Sequence, residues 1–377
     1  MIVFIRSHVP QLDGRMRKYR QALAEAGMRT VALGWLRGES IPNVDEANDA
    51  FYRRPAPLGG GWRNVLNLVL WNGFVLRWLW HNRRDIDLVH GVDFDSCLPA
   101  YVFSRLRRVP FVFDLYDKYT ETRGMAGPVA AVIDTLESWV ASKADLVLLA
   151  DASRYEQHGL RPSSRIRVLE NVPVSGHDLS YRAVQPQVPI RIGYFGVLEE
   201  RNRGLEDLIA ACTRSADKVE LHLAGYGPVA PLAREAARQH ENVTFHGAMD
   251  VAAGLSLMSS MDVVAGFYYL TVPNHRFAAP NKYYEHLLLG RPLLTTKGTP
   301  PGDKVGQYET GWALDEGEAP ILQWLADVGP AEIERRGRNA RMKWDTEYEN
   351  YYEENYAGFY AEYVRGRIAA RRNDRVK

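Results

Sequence analysis

With 377 residues, 46% of them hydrophobic and 25% charged, the chain exceeds one small core and suits two domains. Its 47 basic and 46 acidic residues leave a formal charge of +1, which implies no nucleic acid or other strong polyanion as partner. The two cysteines, Cys97 and Cys212, stand far apart, against a disulfide framework or a cysteine-rich zinc site.

Residues 1–6 read as a core strand rather than a signal peptide, which points to a cytoplasmic protein. A loop, Pro10-Gln-Leu-Asp-Gly14, follows, and Gly14 permits close approach of a ligand to the backbone. The spacing of Met16, Tyr19, Ala22, Leu23 and Ala26 predicts a helix over 15–26 with these residues inward, ended by Gly27. Residues 64–80 are apolar almost all round, with Trp71, Trp78 and Trp80, then His81, Arg83 and Arg84. Their length and the interruptions at Asn67, Asn72 and Arg77 speak against a transmembrane span. Two readings stay open: a helix packed between sheet and surface, or an interfacial helix that holds the protein at the inner face of a membrane. Asp87-Leu-Val-His-Gly-Val-Asp93-Phe-Asp95 and Pro-Phe-Val-Phe-Asp-Leu-Tyr-Asp-Lys-Tyr-Thr-Glu (110–121) are apolar runs that end in carboxylates. Residues 144–150 and 168–173 close this half.

A polar, proline-rich stretch at 173–189 reads as a linker. Ile-Gly-Tyr-Phe-Gly-Val-Leu-Glu-Glu-Arg-Asn-Arg-Gly (192–204) reads as a strand entering a loop, followed by a helix over 205–212. Residues 221–228 and 243–247 supply the next two strands. Gly225-x-Gly227-x-x-Ala230 fits a dinucleotide fingerprint, which needs an acid at the end of the next strand. That strand ends at His246-Gly247 with no acid before Asp250, so NAD binding is rejected.

Residues 279–296 are the most informative. Pro280 suits the first helical position, Tyr284, Leu287 and Leu288 form an apolar stripe, and Gly290 is placed to stop the helix before a short strand at 293–296. A helix N-terminus offers amides to phosphate oxygens, and the nearby Glu285 can accept both hydroxyls of a ribose. These are the needs of a nucleotide-sugar site. In the tail, Tyr348, Tyr352, Tyr356, Phe359 and Tyr363 form a helical stripe read as core packing, and 365–377 is basic. The alternation of strands and helices indicates two parallel-sheet domains.

These segments resemble glycosyltransferase family 4, the retaining transferases of GT-B fold. Pro280, Lys282, Glu285, Gly290 and Pro292 match its Pro-x-Lys-x-x-Glu-Tyr-x-x-x-Gly-x-Pro segment. The family carries a second glutamate eight positions before the ribose ligand, where this chain has Phe277. The loop at 192–204 is similar to the family's Gly-Arg-x-x-x-x-Lys-Gly loop, one residue longer. Arg203 stands at the lysine position and Val197 at the arginine position, with Arg201 able to compensate. Residues 87–95 resemble an Asp-Val-Val-His-x-x-Asp strand end, and 110–121 resemble Tyr-Asp-x-His-Glu-x-Tyr-x-Glu. In the latter Asp114, Tyr119 and Glu121 match, Tyr116 stands where the histidine would be, and Asp117 replaces the glutamate. The resemblance spans about residues 1–330.

The resemblance implies an α/β chain of GT-B fold, two Rossmann-like parallel-sheet domains facing across a cleft. Residues 1–173, joined by a C-terminal helix at about 346–377, would form the acceptor domain, and 189–345 the nucleotide-sugar domain. It implies a retaining glycosyltransferase that moves a sugar from a nucleoside-diphosphate sugar to an acceptor in polysaccharide, glycolipid or other glycoconjugate biosynthesis. The donor residues would be Gly196, Arg201, Arg203, Gly247, Asn281, Lys282 and Glu285. Asp13, Gly14 and Asp93 would bind a sugar, lipid-linked or small-molecule acceptor, and Asp117, Tyr116 and Arg203 would serve catalysis. No metal and no cofactor beyond the co-substrate is expected. The alternatives are a nucleotide-sugar 2-epimerase of the same fold and a catalytically silent binding subunit, the latter motivated by Phe277 and Tyr116. With phenylalanine at 277, either Asn274, His275 or Asn281 supplies the missing sugar contact, or the sugar lacks a hydroxyl there.

Overall fold

The computed structural model describes residues 1–38, 47–56, 61–174, 181–186, 188–200 and 202–376, with backbone alone at 61–65 and 374–376. Arg201 and much of the 173–189 stretch lie outside the described residues. The chain divides into two compact units, Met1–Glu170 with Tyr351–Lys377, and Asn171–Asn350.

The first unit is built on a seven-stranded parallel sheet. Its strands are β1 (Ile2–Arg6), β2 (Thr30–Leu36), β3 (Ala50–Arg53), β4 (Leu88–Val92), β5 (Phe111–Leu115), β6 (Leu146–Leu149) and β7 (Ile166–Val168). They lie in the order β3-β2-β1-β4-β5-β6-β7. The second unit has β8 (Ile190–Val197), β9 (Val219–Tyr226), β10 (Val243–Phe245), β11 (Val263–Gly266), β12 (Leu293–Thr296) and β13 (Gly311–Leu314), in the order β10-β9-β8-β11-β12-β13. β1, β4, β5 and β6 are buried along almost their whole length, as expected of parallel strands covered by helices on both faces. In each unit the order reverses beside the first strand, between β1 and β4 and between β8 and β11. Open parallel sheets bind ligands at such reversals, beyond the carboxyl ends of the strands.

The helix α1 runs Gly14–Glu25, one residue earlier than its spacing suggests, because the Asp13 carboxylate accepts from Arg15 N at 2.9 Å and Met16 N at 3.0 Å and caps it. Met16, Tyr19, Ala22 and Leu23 are buried, whereas Ala26 is the C-cap and half-exposed. Gly27 follows at φ 71°, the left-handed turn that stops the helix. The apolar run forms α2 (Gly61–His81), with Trp71, Val75 and Leu79 in the core and Trp71 stacked on Trp35 at 5.9 Å between centroids. It is followed in the chain by β4 and then by α3 (Phe94–Arg107). Among the described residues no helix is long and apolar enough to cross a membrane.

The tyrosine stripe of the tail is rearranged. Residues Tyr352–Tyr360 wind as a π-helix, so every fourth residue stays on one face, and Tyr352, Tyr356, Tyr360 and Val364 are buried. Phe359 and Tyr363, which an α-helical period would turn inward, are half-exposed. Tyr348 is buried in the second unit as the C-cap of the helix Pro330–Glu347.

Candidate active site

In the second unit the residues singled out by sequence gather where β8 and β11 part. The helix Asn281–Leu289 starts here, with Pro280 as its N-cap in extended geometry rather than its first residue, and with Gly290 closing it at φ 60°. Its first-turn amides have no acceptors within the helix. Asn281 is exposed and Glu285 half-buried. The Lys282 ammonium donates to the Phe195 carbonyl at the end of β8 and lies 4.1 Å from the centroid of the Tyr194 ring. This placement depends on two glycines. A Cβ at Gly196 (φ 147°) would stand 3.3 Å from the ammonium, and one at Gly266 would meet the lysine stem at 2.6 Å.

Burial pulls the Lys282 pKa down to about 8; the Glu285 carboxylate opposes this and the Arg203 guanidinium adds to it. Arg203 bonds Glu199 through Nε at 2.9 Å and lies 4.7 Å from the centroid of the Tyr268 ring. Tyr268 is held by its own N–H, which donates to Thr296 Oγ1 at 2.9 Å, and the Tyr194 hydroxyl donates to the Val197 carbonyl at 2.8 Å. Two cations, a helix N-terminus and a carboxylate one turn further in thus share one end of the sheet. The cations and amides suit a phosphate group, and the carboxylate suits a diol.

Gly247 lies farther along the sheet, after β10; its carbonyl accepts from Gly225 N at 2.8 Å, and the space where its Cβ would point is open. Val197 is exposed at the end of β8. Phe277, half-buried, ends the 3-10 turn Pro273–Phe277. Next to it His275 is buried, its ring bonded to the Tyr269 carbonyl at 2.8 Å. Tyr194 and Tyr268 were not foreseen from sequence; the signal was aromatic residues at and just beyond two strand ends that also carry the loops.

The corresponding end of the first sheet is a dense carboxylate network. Asp13, besides capping α1, is ion-paired with Arg6 and accepts from the Tyr116 hydroxyl at 3.1 Å. The Arg6 guanidinium lies 4.4 Å from the Tyr116 ring centroid. Gly14 is simply the first residue of α1. Asp93 follows β4 at φ 56°, a strained value for a side-chain-bearing residue, and accepts from Tyr116 N at 3.0 Å and Asp117 N at 3.3 Å. Burial, with Asp117 and Asp95 beside it, raises its pKa to about 7 against the opposing pull of Arg6. Asp117 pairs with Arg154 at 2.8 Å. Beneath, Arg15 grips the buried Asp114 through Nε at 3.0 Å and a second nitrogen at 3.1 Å, and His90 bonds the Tyr360 hydroxyl at 2.7 Å. Tyr116, Asp93, Asp13 and Asp117 are therefore brought together, with Arg6 and Arg15 as members that sequence reasoning passed over. Among the described residues no group of three or more histidine, cysteine or acidic side chains is placed to hold a metal ion.

Comparison with known proteins assigns both units. Residues 15–172 match a glycosyl transferase 4-like domain, and residues 189–323 match the glycosyl transferases group 1 domain. No curated protein matches in sequence. Solved structures share the fold over nearly the full length. Sucrose-phosphate synthase from Thermosynechococcus elongatus has 18% identity and a TM-score of 0.69, covering 98% of this chain and 99% of that one. Anabaena HepE in complex with UDP and glucose has 14% identity and a TM-score of 0.64, covering 99% of each. WaaG, a glycosyltransferase involved in lipopolysaccharide biosynthesis, has 13% identity and a TM-score of 0.64, covering 97% of this chain and all of that one. With two glycosyl transferase domains in series and the GT-B pair of parallel sheets, the chain belongs to the family 4 and group 1 glycosyltransferases and is an enzyme of that class.

Proposed function

We propose that the protein transfers a sugar from a nucleoside-diphosphate sugar to an acceptor with retention of the anomeric configuration. The observation that carries this reading is the convergence of Arg203, Lys282, Glu285 and the start of the helix Asn281–Leu289 at one sheet end. Glu285 takes the ribose hydroxyls. Arg203, Lys282 and the helix amides take the diphosphate, whose charge grows as the glycosidic bond breaks, so their main effect falls on the transition state. Bound UDP and glucose in the fold neighbour HepE support the donor class. The acceptor binds at the carboxylate end of the first unit, where Asp93, with a pKa of about 7, is poised to exchange a proton. Attack comes from the face that the nucleotide leaves. The product belongs to polysaccharide, glycolipid or other glycoconjugate synthesis on the cytoplasmic side.

A thermal-shift panel of UDP, GDP and ADP identifies the base, since a ligand that binds the native state raises its melting temperature. Turnover of the matching sugar donor with a panel of acceptors, read by NMR at the anomeric proton, tests transfer and retention. Donor consumption that yields only an epimer would replace this reading with a 2-epimerase. Binding without any turnover, slow hydrolysis included, would make the chain a binding subunit. Phe277 favours a sugar lacking the hydroxyl that a glutamate would hold, because an unpaired buried hydroxyl costs about 1–3 kcal/mol. If wild type prefers the fully hydroxylated hexose over its deoxy counterpart and Phe277→Glu gains nothing on it, that preference is wrong.

A further inference from the structure

The helix α2 has two apolar faces, and among the described residues one is in the core and the other is exposed. Trp71, Val75 and Leu79 are in the core. Leu66, Val69, Leu70, Leu76 and Trp80, at 37–61% exposure, fall on the opposite side at spacings of three, one, six and four residues, with Gly73 completing the line. At 1.5 Å per residue the stripe is about 20 Å long. The end of α3 lies beside it, with Arg107 reaching to 6.0 Å from the Trp80 ring centroid and the neighbouring Leu106 67% exposed. An apolar surface of this extent is an interaction site rather than scattered exposure.

Charge decides the partner. Residues 61–84 contain no aspartate or glutamate. Arg77 interrupts the stripe, His81, Arg83 and Arg84 follow it before the exposed Asp85, and Arg105 of α3 and its C-cap Arg108 are exposed. Trp80 sits at the border between the apolar and cationic parts, 5.7 Å from the Arg83 guanidinium. A second copy of this face would set mainly cations against these cations, with Asp85 as the exposed acid beside them. An anionic phospholipid surface satisfies both parts at once, with acyl chains under the leucines, headgroup phosphates at the arginines and an indole at the boundary.

We infer that the exposed face of α2, with the end of α3, docks this protein on an anionic membrane as a peripheral, non-spanning helix. The inference goes beyond the glycosyl transfer proposed above and does not depend on it. Sedimentation of the full chain with vesicles of phosphatidylcholine alone, or mixed equally with phosphatidylglycerol, tests it. Wild type is expected to sediment with the anionic vesicles at least about tenfold more strongly, an advantage that high salt reduces. Leu70→Glu with Leu76→Glu, and separately Arg83→Glu with Arg84→Glu, should each weaken that binding by about tenfold or more. Both pairs lie on the surface of the first unit, so an unchanged melting temperature confirms folded protein. Absence of wild-type binding to anionic vesicles overturns the inference, as does full binding by either folded variant. Light scattering that shows a dimer broken by the leucine variant, with no vesicle binding in wild type, assigns the face to a second copy instead.

Discussion

The two units repeat one strand order and place polar residues at the same reversal, yet the chemistry there is opposite. At β1/β4 the carboxylates Asp13, Asp93, Asp114 and Asp117 are cross-linked by Arg6, Arg15, Arg154 and Tyr116, and one of them has its pKa lifted to about 7. At β8/β11 the notable groups are cations, Arg203 and Lys282, supported by aromatic faces and by a helix N-terminus. One scaffold thus carries a carboxylate-rich end and a cation-rich end, and the difference lies in a few loop residues rather than in the sheets.

The largest expected effect tests the cationic end. Arg203→Ala should lower kcat/KM for the sugar donor by about 100-fold or more while leaving nucleoside binding nearly unchanged, because its proposed partner is the diphosphate. Equal losses for nucleoside and donor, read by calorimetry and initial rates, would mark a folding defect instead. Glu285→Ala should weaken nucleotide binding by about 1–3 kcal/mol with the fold intact. A folded variant with unchanged donor affinity removes Glu285 from the site.

The next comparison is one of pH. Lys282 titrates at about 8 in the free protein, and a bound diphosphate favours its charged form. Donor affinity should therefore be full below pH 7 and fall by about tenfold towards pH 9.5 as the ammonium is lost. In Lys282→Met the affinity is lower and flat over the same range. A wild-type profile as flat as that of the variant would place Lys282 away from the phosphates.

The smallest effect belongs to the carboxylate end. Asp93 binds its proton more tightly folded, at about 7, than unfolded, at 3.8, so the native state holds more protons between these values and stability falls as pH rises through them. Asp93→Asn keeps an acceptor for Tyr116 N without the charge. Its stability gain over wild type should grow from near zero at pH 4 to about 1 kcal/mol at pH 8, allowing for the partial exposure of the residue. Denaturant titrations at the two pH values check it; a gain that stays level with pH would show that Asp93 is already charged throughout.

Strand and helix positions were legible because hydrophobic period and end signals are local: β12 at Leu293–Thr296, Gly290 and Gly27 as stops, and the start of the helix at Leu205 all fall where the pattern puts them. The conjunction of a helix start and Glu285 was legible for the same reason. Arg6, Arg15 and the tyrosines under Lys282 and Arg203 were not, since their roles come from partners many residues away. Arg15, which is not among the inward positions that the helical spacing picks out, is buried because Asp114 on β5 and the Leu169 carbonyl receive it.

By itself the sequence determined the α/β alternation, the helix that carries Glu285 and a run at 64–80 that is apolar on nearly every side, since period, glycine stops and composition are properties of short stretches. Only the tertiary structure decided which side of that run enters the core, which tyrosines of the tail turn inward and which cations meet at a sheet end. The physical reason is that burial, π-helical winding and charge pairing depend on what arrives from distant parts of the chain.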